Sequence, residues 1–359
     1  MGDVKSLDVE IKVEKNPAIY FSGEDVRIKI TLRNNTKMKE DIGWGSADII
    51  CEQIKAKAID ARQTKHEESL PKRTQIFCVD AEILPDQQIE FWCTISVPFF
   101  KHPLPTFRGQ RVVYTNKIKV AVARVGVEQE YFFLPIRVLP VRNAPDRSEI
   151  VRNPFAPIEE TSYVDQIMQN IDHLTQSRKS IGFEMKRAED AKIVMLTLPK
   201  QTFKLGDDVC GYLDWCPDVE SSCVQYSAVL ETVETVKKAA NSDTLGPLDK
   251  AISQTAPVCA FTKDSAFRLN IPHTATPSFE NDFVSHKWRL RMTFLLTNQN
   301  YSTQVRQFIA ESTAPKNMPI QTYTWSLDID VLPCRPENAA LLEQNYRNIA
   351  IGSMSRLHR

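Results

Sequence analysis

Tyr131–Pro140 reads Y-F-F-L-P-I-R-V-L-P and Tyr323–Pro333 reads Y-T-W-S-L-D-I-D-V-L-P, so one strand, L-x-I-x-V-L-P, is written twice in this chain. Each copy carries a branched apolar residue at every second position and stops at a proline, which cannot donate to a β-ladder. Leu134, Ile136 and Val138 therefore share one face, and Leu327, Ile329 and Val331 share the matching face of the twin. Two further landmarks recur in the same order. Phe21-Ser22-Gly23-Glu24-Asp25-Val26 is echoed by Phe203-Lys204-Leu205-Gly206-Asp207-Asp208-Val209, and Pro105-Thr106-Phe107 by Pro277-Ser278-Phe279. The copies are offset by about 180 residues, which marks a duplicated domain and not a short-period solenoid.

Strand-period alternation fills the space between the landmarks. Val9, Ile11 and Val13 alternate with Glu10, Lys12 and Glu14, and Val26, Ile28, Ile30 and Leu32 alternate with Arg27, Lys29 and Thr31. Ile118, Val120 and Val122 do the same, as do Trp288, Leu290, Met292 and Phe294 against Lys287, Arg289, Arg291 and Thr293. Strands with one dry and one wet face, separated by Pro- and Asn-rich turns, predict antiparallel β-sandwiches. The Gly-acid-Asp-Val landmark reads as a corner: glycine supplies a tight turn, and Val26 or Val209 starts the next strand.

Between the halves the texture changes. Asn143-Ala144-Pro145-Asp146 and Asn153-Pro154-Phe155-Ala156-Pro157 read as extended linker, and a helix is expected over 161–176. Thr161 or Ser162 can cap it, and Val164, Ile167, Met168, Ile171 and Leu174 form one stripe. After Pro336, Leu341, Leu342, Tyr346 and Ile349 make a weaker amphipathic segment ending in Arg356, His358 and Arg359. The expected division is an N-terminal sandwich over 1–141, a linker with its helix over 142–180, a C-terminal sandwich over 181–335 and a tail over 336–359. The two helical segments are the expected places for partner contacts.

Composition narrows the functions. At 359 residues, 42% hydrophobic and 25% charged, the chain can bury two cores. Forty-five basic residues balance 45 acidic ones, so no global positive field exists for nucleic acid. The longest apolar runs, Ile193–Leu198 and Met292–Leu296, fall far short of the roughly 18–20 residues of a spanning helix. No apolar signal region opens the chain, which predicts a reducing cytosol for its eight cysteines.

Catalytic signatures are missing. There is no G-x-S-x-G, G-x-x-x-x-G-K-[ST] or G-x-G-x-x-G, and the cysteines at 51, 78, 93, 210, 216, 223, 259 and 334 never form C-x-x-C or a Cys/His zinc spacing. The histidines at 66, 102, 173, 273, 286 and 358 are scattered, and most are expected on the surface or in loops. No catalytic, cofactor-binding or metal-binding residue is assigned, and partner-binding residues are unknown at this level.

Four local signals carry less specific information. Met1-Gly2-Asp3-Val4-Lys5-Ser6 fits an N-myristoylation pattern, though a solvent-exposed start explains it as well. Asn153-Pro154-Phe155 resembles a tripeptide bound by endocytic adaptors, with a linker packed on its own sandwich as the plainer explanation. Lys287, Arg289 and Arg291, with Lys117 and Lys119, could form a basic stripe for anionic lipid or acidic peptide, or an ordinary wet sheet face. Of Trp44, Trp288 and Trp325, the latter two alternate onto inner faces and are expected in the core.

The set Gly23–Val26, Trp44-Gly45-Ser46-Ala47, Pro105-Thr106-Phe107-Arg108-Gly109-Gln110, Leu134–Pro140, Phe203–Gly211, Val284-Ser285-His286-Lys287-Trp288-Arg289-Leu290 and Tyr323–Pro333 resembles the reduced growth phenotype family over nearly the whole chain. The resemblance implies an all-β, arrestin-like fold of two tandem antiparallel sandwiches joined by a linker with a short helix. It also implies a non-catalytic scaffold role as the smaller subunit of a heterodimeric guanine-nucleotide exchange factor. The implied partners are a large β-propeller subunit and the Golgi GTPase Rab-six, which the complex would activate in endosome-to-Golgi and intra-Golgi vesicle traffic. The implied place is the cytoplasm, peripheral on the Golgi membrane, with no cofactor and no nucleic acid. The chain lacks any Pro-Pro pair, hence the P-P-x-Y peptides of ubiquitin-ligase adaptors among arrestin relatives. The second copy has Pro277-Ser278-Phe279-Glu280 where the first has Pro105-Thr106-Phe107-Arg108, so a function tied to Arg108 belongs to the first copy. The alternative is an arrestin-type trafficking adaptor, retromer-like or cargo-sorting, without exchange activity.

Overall fold

The computed structural model describes residues 7–56, 67–68, 74–99, 104–141, 162–176, 180–186, 192–215, 222–237, 246–260, 262–297 and 319–340. The first half contains β1 (Leu7–Val13), β2 (Ile19–Phe21), β3 (Asp25–Asn34), β4 (Glu40–Lys55), β5 (Glu67–Glu68), β6 (Gln75–Ile83), β7 (Gln88–Ser96), β8 (Phe107–Arg108), β9 (Val112–Arg124) and β10 (Glu130–Leu139). Helix α1 (Tyr163–Thr175) follows. The second half contains β11 (Ile181–Lys186), β12 (Lys192–Leu198), β13 (Thr202–Lys204), β14 (Asp208–Trp215), β15 (Ser222–Val236), β16 (Leu248–Thr255), β17 (Asp264–Asn270), β18 (Phe279–Glu280), β19 (Val284–Thr297) and β20 (Ile320–Leu332).

Each half is two sheets face to face. In the first, β1-β3-β7 covers a seven-stranded sheet ordered β2-β10-β9-β4-β5, with β6 on β4 and β8 on β9. In the second, β11-β12-β14-β17 covers a six-stranded sheet ordered β13-β20-β19-β15-β16, with β18 on β19. Both sandwiches are antiparallel except for one short parallel pairing each, β2 on β10 and β13 on β20. The alternating residues close the cores as their period requires. Val26, Ile28, Ile30 and Leu32 meet Ile118, Val120 and Val122 in one, and Leu290, Met292 and Phe294 meet Val194, Leu196 and Leu213 in the other. Trp288 is fully buried and Trp325 packs at the edge of the same core.

The repeated landmarks prove to be the same kind of turn, with Lys204 at the place of Phe21 and Phe203 at that of Tyr20. Gly23 and Gly206 take φ of +84° and +91°, the left-handed region that glycine alone enters without strain. Glu24 N donates to Phe21 O while the Glu24 carboxylate accepts from Phe21 N, and Asp207 does the same with Lys204. Lys15 pairs with Glu24 and lies over the Tyr20 ring; Lys200 pairs with Asp207 and lies over Phe203. In the Pro-[Thr/Ser]-Phe landmark, Thr106 Oγ1 accepts from Val138 N and Ser278 Oγ from Val331 N, each at 2.9 Å. The hydroxyl thus stitches the landmark to the L-x-I-x-V strand in both copies.

Ser162 caps α1, its Oγ accepting from Asp165 N at 3.2 Å. Ile167, Met168 and Ile171 are buried in the second half's core cluster, which also takes in Ile19, Phe21, Leu139 and Val141 of the first. Tyr163 donates its hydroxyl to Ser22 O at 2.8 Å, while Asp172 pairs with Lys204 and Asp165 with Arg335. The helix therefore pins the two sandwiches to one another. A second small core joins them as well: Cys51, Phe107, Val112 and Tyr114 against Val236, Phe279 and Val284. There Phe107 meets its own counterpart, Phe279, edge to face with ring centroids 5.0 Å apart.

Candidate partner interface

The expected partner surfaces are rearranged by the fold. The stripe of α1 is turned into the chain's own cores, and of its five residues only Leu174 stays exposed. The basic stripe is compensated: Arg289 pairs with Asp328 at 3.1 Å, Arg291 with the buried Glu231 at 2.9 Å and Lys117 with Glu52 at 2.7 Å. Lys287 alone of the five basic residues has no interaction among the described residues, and the five are divided between β19 of one sandwich and β9 of the other. Antiparallel register sets Glu231 and Asp328 opposite Arg289, while Arg291, opposite Val229 and Ser326, reaches Glu231 on the diagonal. His286 also departs from expectation, being 6% exposed on an inner face of β19. Residues 1–6, Asn153–Phe155 and the tail segment 341–359 lie outside the described residues.

The surface that stands out was not singled out in the sequence. It is the outer face of the seven-stranded sheet. Cross-strand register puts Trp44 opposite Val79 and Ala123, sets Ser46 opposite Ile76 and Ala121, and brings Ala121 opposite Tyr131. One row further, Asp48, Lys119 and Phe133 face one another in line. Ile76, Val79, Tyr131 and Phe133 are 49–63% exposed and Trp44 is 38% exposed. Five large apolar side chains on one flat sheet face make a contiguous patch, which a monomer's surface rarely displays without a use. Lys119 lies 4.6 Å from the Tyr131 ring centroid and Lys117 lies 5.7 Å from that of Phe133, so both cations reinforce the aromatic platform. The signal existed in Tyr131-Phe132-Phe133, whose flanking rings point outward while Phe132 packs on the core. Only the strand order could show that Trp44, Ile76 and Val79 join them.

Burial holds several ionisable side chains of the interior in their neutral forms. Burial pushes the Cys51 thiol up to about 12 and those of Cys78, Cys93 and Cys334 up to about 11, so these sulfurs stay protonated and unreactive. Burial depresses His286 to about 4, with nearby Lys250 adding to the effect, so its imidazole is neutral. No cluster of His, Cys, Asp and Glu that could hold a metal is found among the described residues.

The family model described as Rgp1 matches residues 141–297, from the end of the first sandwich through α1 to the end of β19. The chain is 24% identical over 384 residues to the "RAB6A-GEF complex partner protein 2" of Homo sapiens, covering 93% of this chain and 96% of that protein. It is 24% identical over 381 residues to the protein of the same name from Bos taurus, covering 92% and 94%. The family match over residues 141–297, the near end-to-end alignment to two relatives and the duplicated landmarks of both halves together support the Rgp1, or reduced growth phenotype, family for this chain.

Proposed function

We propose that this protein is the non-catalytic scaffold subunit of a heterodimeric Rab guanine-nucleotide exchange factor, acting on the Golgi GTPase Rab-six with a large β-propeller subunit. Its place is the cytoplasmic face of the Golgi membrane, in endosome-to-Golgi and intra-Golgi vesicle traffic. The relatives' name, partner protein of a RAB6A-GEF complex, supports the reading. The observation that carries it is the apolar outer face of the seven-stranded sheet, where the propeller subunit docks on Trp44, Ile76, Val79, Tyr131 and Phe133. Exchange needs no nucleophile. A factor that binds the nucleotide-free GTPase more tightly than its nucleotide-bound forms releases GDP by that difference alone. Two rigid, mutually pinned sandwiches suit a subunit whose task is to hold other chains in one orientation.

The test is GDP release from the Golgi Rab-six GTPase by this chain alone, by the propeller subunit alone and by both. Acceleration by the pair and by neither alone is expected. A verified complex that accelerates nothing would overturn the exchange reading and favour the arrestin-type sorting adaptor.

A further inference from the structure

Seven cysteines lie among the described residues, all as free thiols, and two of them meet. Cys223 stands at the head of β15. Cys259 lies in the crossing from β16 to β17, which carries the chain from the six-stranded sheet to the four-stranded one. Their side chains share a hydrogen bond.

The backbone builds this contact. Val224 is an extra residue, left out of the ladder between Cys223, opposite Leu296, and Gln225, opposite Leu295. Alternation alone would put Cys223 with Gln225 on the face opposite the buried Tyr226. The bulge shifts the parity, so Cys223 turns inward with Leu296, onto the core cluster that holds Cys259. The Val224 carbonyl then accepts from Cys259 N at 2.9 Å and Ala260 N at 3.1 Å, while Gln225 bridges to Val258. Each thiol is tied to the same bulge: Cys223 Sγ lies 3.3 Å from Gln225 O, and Cys259 Sγ lies 3.6 Å from Cys223 O.

The pairing divides the two sulfurs chemically. The Cys223 S–H lowers the Cys259 thiol in spite of burial, whereas the same pairing pushes Cys223 up. Every other buried cysteine among the described residues is moved upward by burial. Cys259 is thus the nucleophile of the pair, and Cys223, the half-buried partner, is the sulfur placed to resolve it. Because Cys259 is 3% exposed, an oxidant of about water's size reaches it and a bulky disulfide does not.

We propose that Cys223 and Cys259 form a dithiol that hydrogen peroxide closes reversibly into a disulfide. The Cys259 thiolate attacks one peroxide oxygen, the O–O bond breaks, and the departing hydroxide takes up a proton to leave as water. Cys223 Sγ then attacks the sulfenic sulfur, and its proton leaves with the hydroxyl as a second water. Two electrons pass from the sulfurs to the peroxide, and a thiol reductant returns them. The bond bolts the head of β15 to the sheet-crossing segment, across 36 positions of sequence, and so restricts the unfolded chain. The site is independent of the exchange reading and of the apolar sheet face, so either can fail without the other.

The experiment uses the purified, fully reduced full chain, dosed with hydrogen peroxide, alkylated and mapped by mass spectrometry. The expected product is an intramolecular cross-link between the peptides of Cys223 and Cys259, formed at least tenfold faster than any oxidation of the exposed Cys210. Its urea midpoint should rise and return with dithiothreitol. In Cys223→Ser, dimedone should trap a sulfenic acid on Cys259; in Cys259→Ser, Cys223 should stay reduced at the same dose. Circular dichroism confirms that each variant is folded, and the wild-type cross-link decides the matter without them. The proposal is overturned if Cys210 oxidises first, if Cys259 passes to sulfinic acid with no cross-link, or if the cross-linked chain unfolds at the midpoint of the reduced one.

Discussion

Gly206 shows how much of this molecule rests on single residues. At φ +91° it sits where an L-side chain is strained by about 1–2 kcal/mol, and a Cβ there would also collide with the His273 ring. Gly206→Ala is expected to cost more than 2 kcal/mol, measured as a shift in urea midpoint, because strain and collision add. That corner was legible as Gly-acid-Asp-Val, since the turn needs glycine and the acid closes it on its own backbone. His286 was not legible. It stands, in register with Phe279, where Tyr114 stands in register with Phe107, and only the fold reveals that this strand position is interior in both copies. Its depressed value, about 4 against 6.5, sets a pH dependence with a definite sign. Between these values the unfolded chain binds a proton that the folded chain refuses, so stability contributed above pH 6.5 is lost as pH falls towards 4. The loss should be about 3 kcal/mol from this residue. Urea unfolding of wild type and His286→Phe at pH 7 and pH 4.5 checks it: the gap between the two proteins should shift in the variant's favour on acidification.

At the level of elements, helix α1 was foreseen in its extent and cap, since Ser162 before a stripe at helical spacing is a local signal. Its destination was not, because an amphipathic stripe says that a face will be buried without saying against what. Ile167, 1% exposed where the halves meet, makes the distinction measurable. Ile167→Ala should destabilise the chain by about 2–4 kcal/mol in chemical denaturation, as core truncations do. A helix reserved for a partner would instead tolerate the change in the free protein. The loop before β9 depends on the other half in the same way. Glu234→Gln should weaken three charge-assisted bonds to backbone N–H groups, cost about 2 kcal/mol and speed hydrogen exchange at residues 110–112. Normal protection at those amides in the variant would show that the loop holds itself. No local pattern could have disclosed this contact, whose members lie more than a hundred residues apart in the chain.

For the whole molecule, the apolar sheet face makes the clearest forecast. Tyr131→Ala with Phe133→Ala removes half-exposed rings, so the free protein should keep its stability to within about 0.5 kcal/mol. The same pair should weaken capture of the propeller subunit more than tenfold in pull-down or calorimetry, as loss of aromatic anchors does. Unchanged capture would move the docking surface elsewhere on the chain. The joint between the halves has a different consequence. Phe107 touches its own copy, Phe279, and the residues around them come from equivalent strands of both repeats. A patch that packs on its duplicate is the signature of an isologous contact, the kind that closes a twofold dimer. The joint is therefore pseudo-twofold, each half presenting the same strands to the other. Its two sides are alike without being interchangeable: Glu280 stands where Arg108 does and His286 where Tyr114 does, so the same strands meet across the joint with different chemistry on each side.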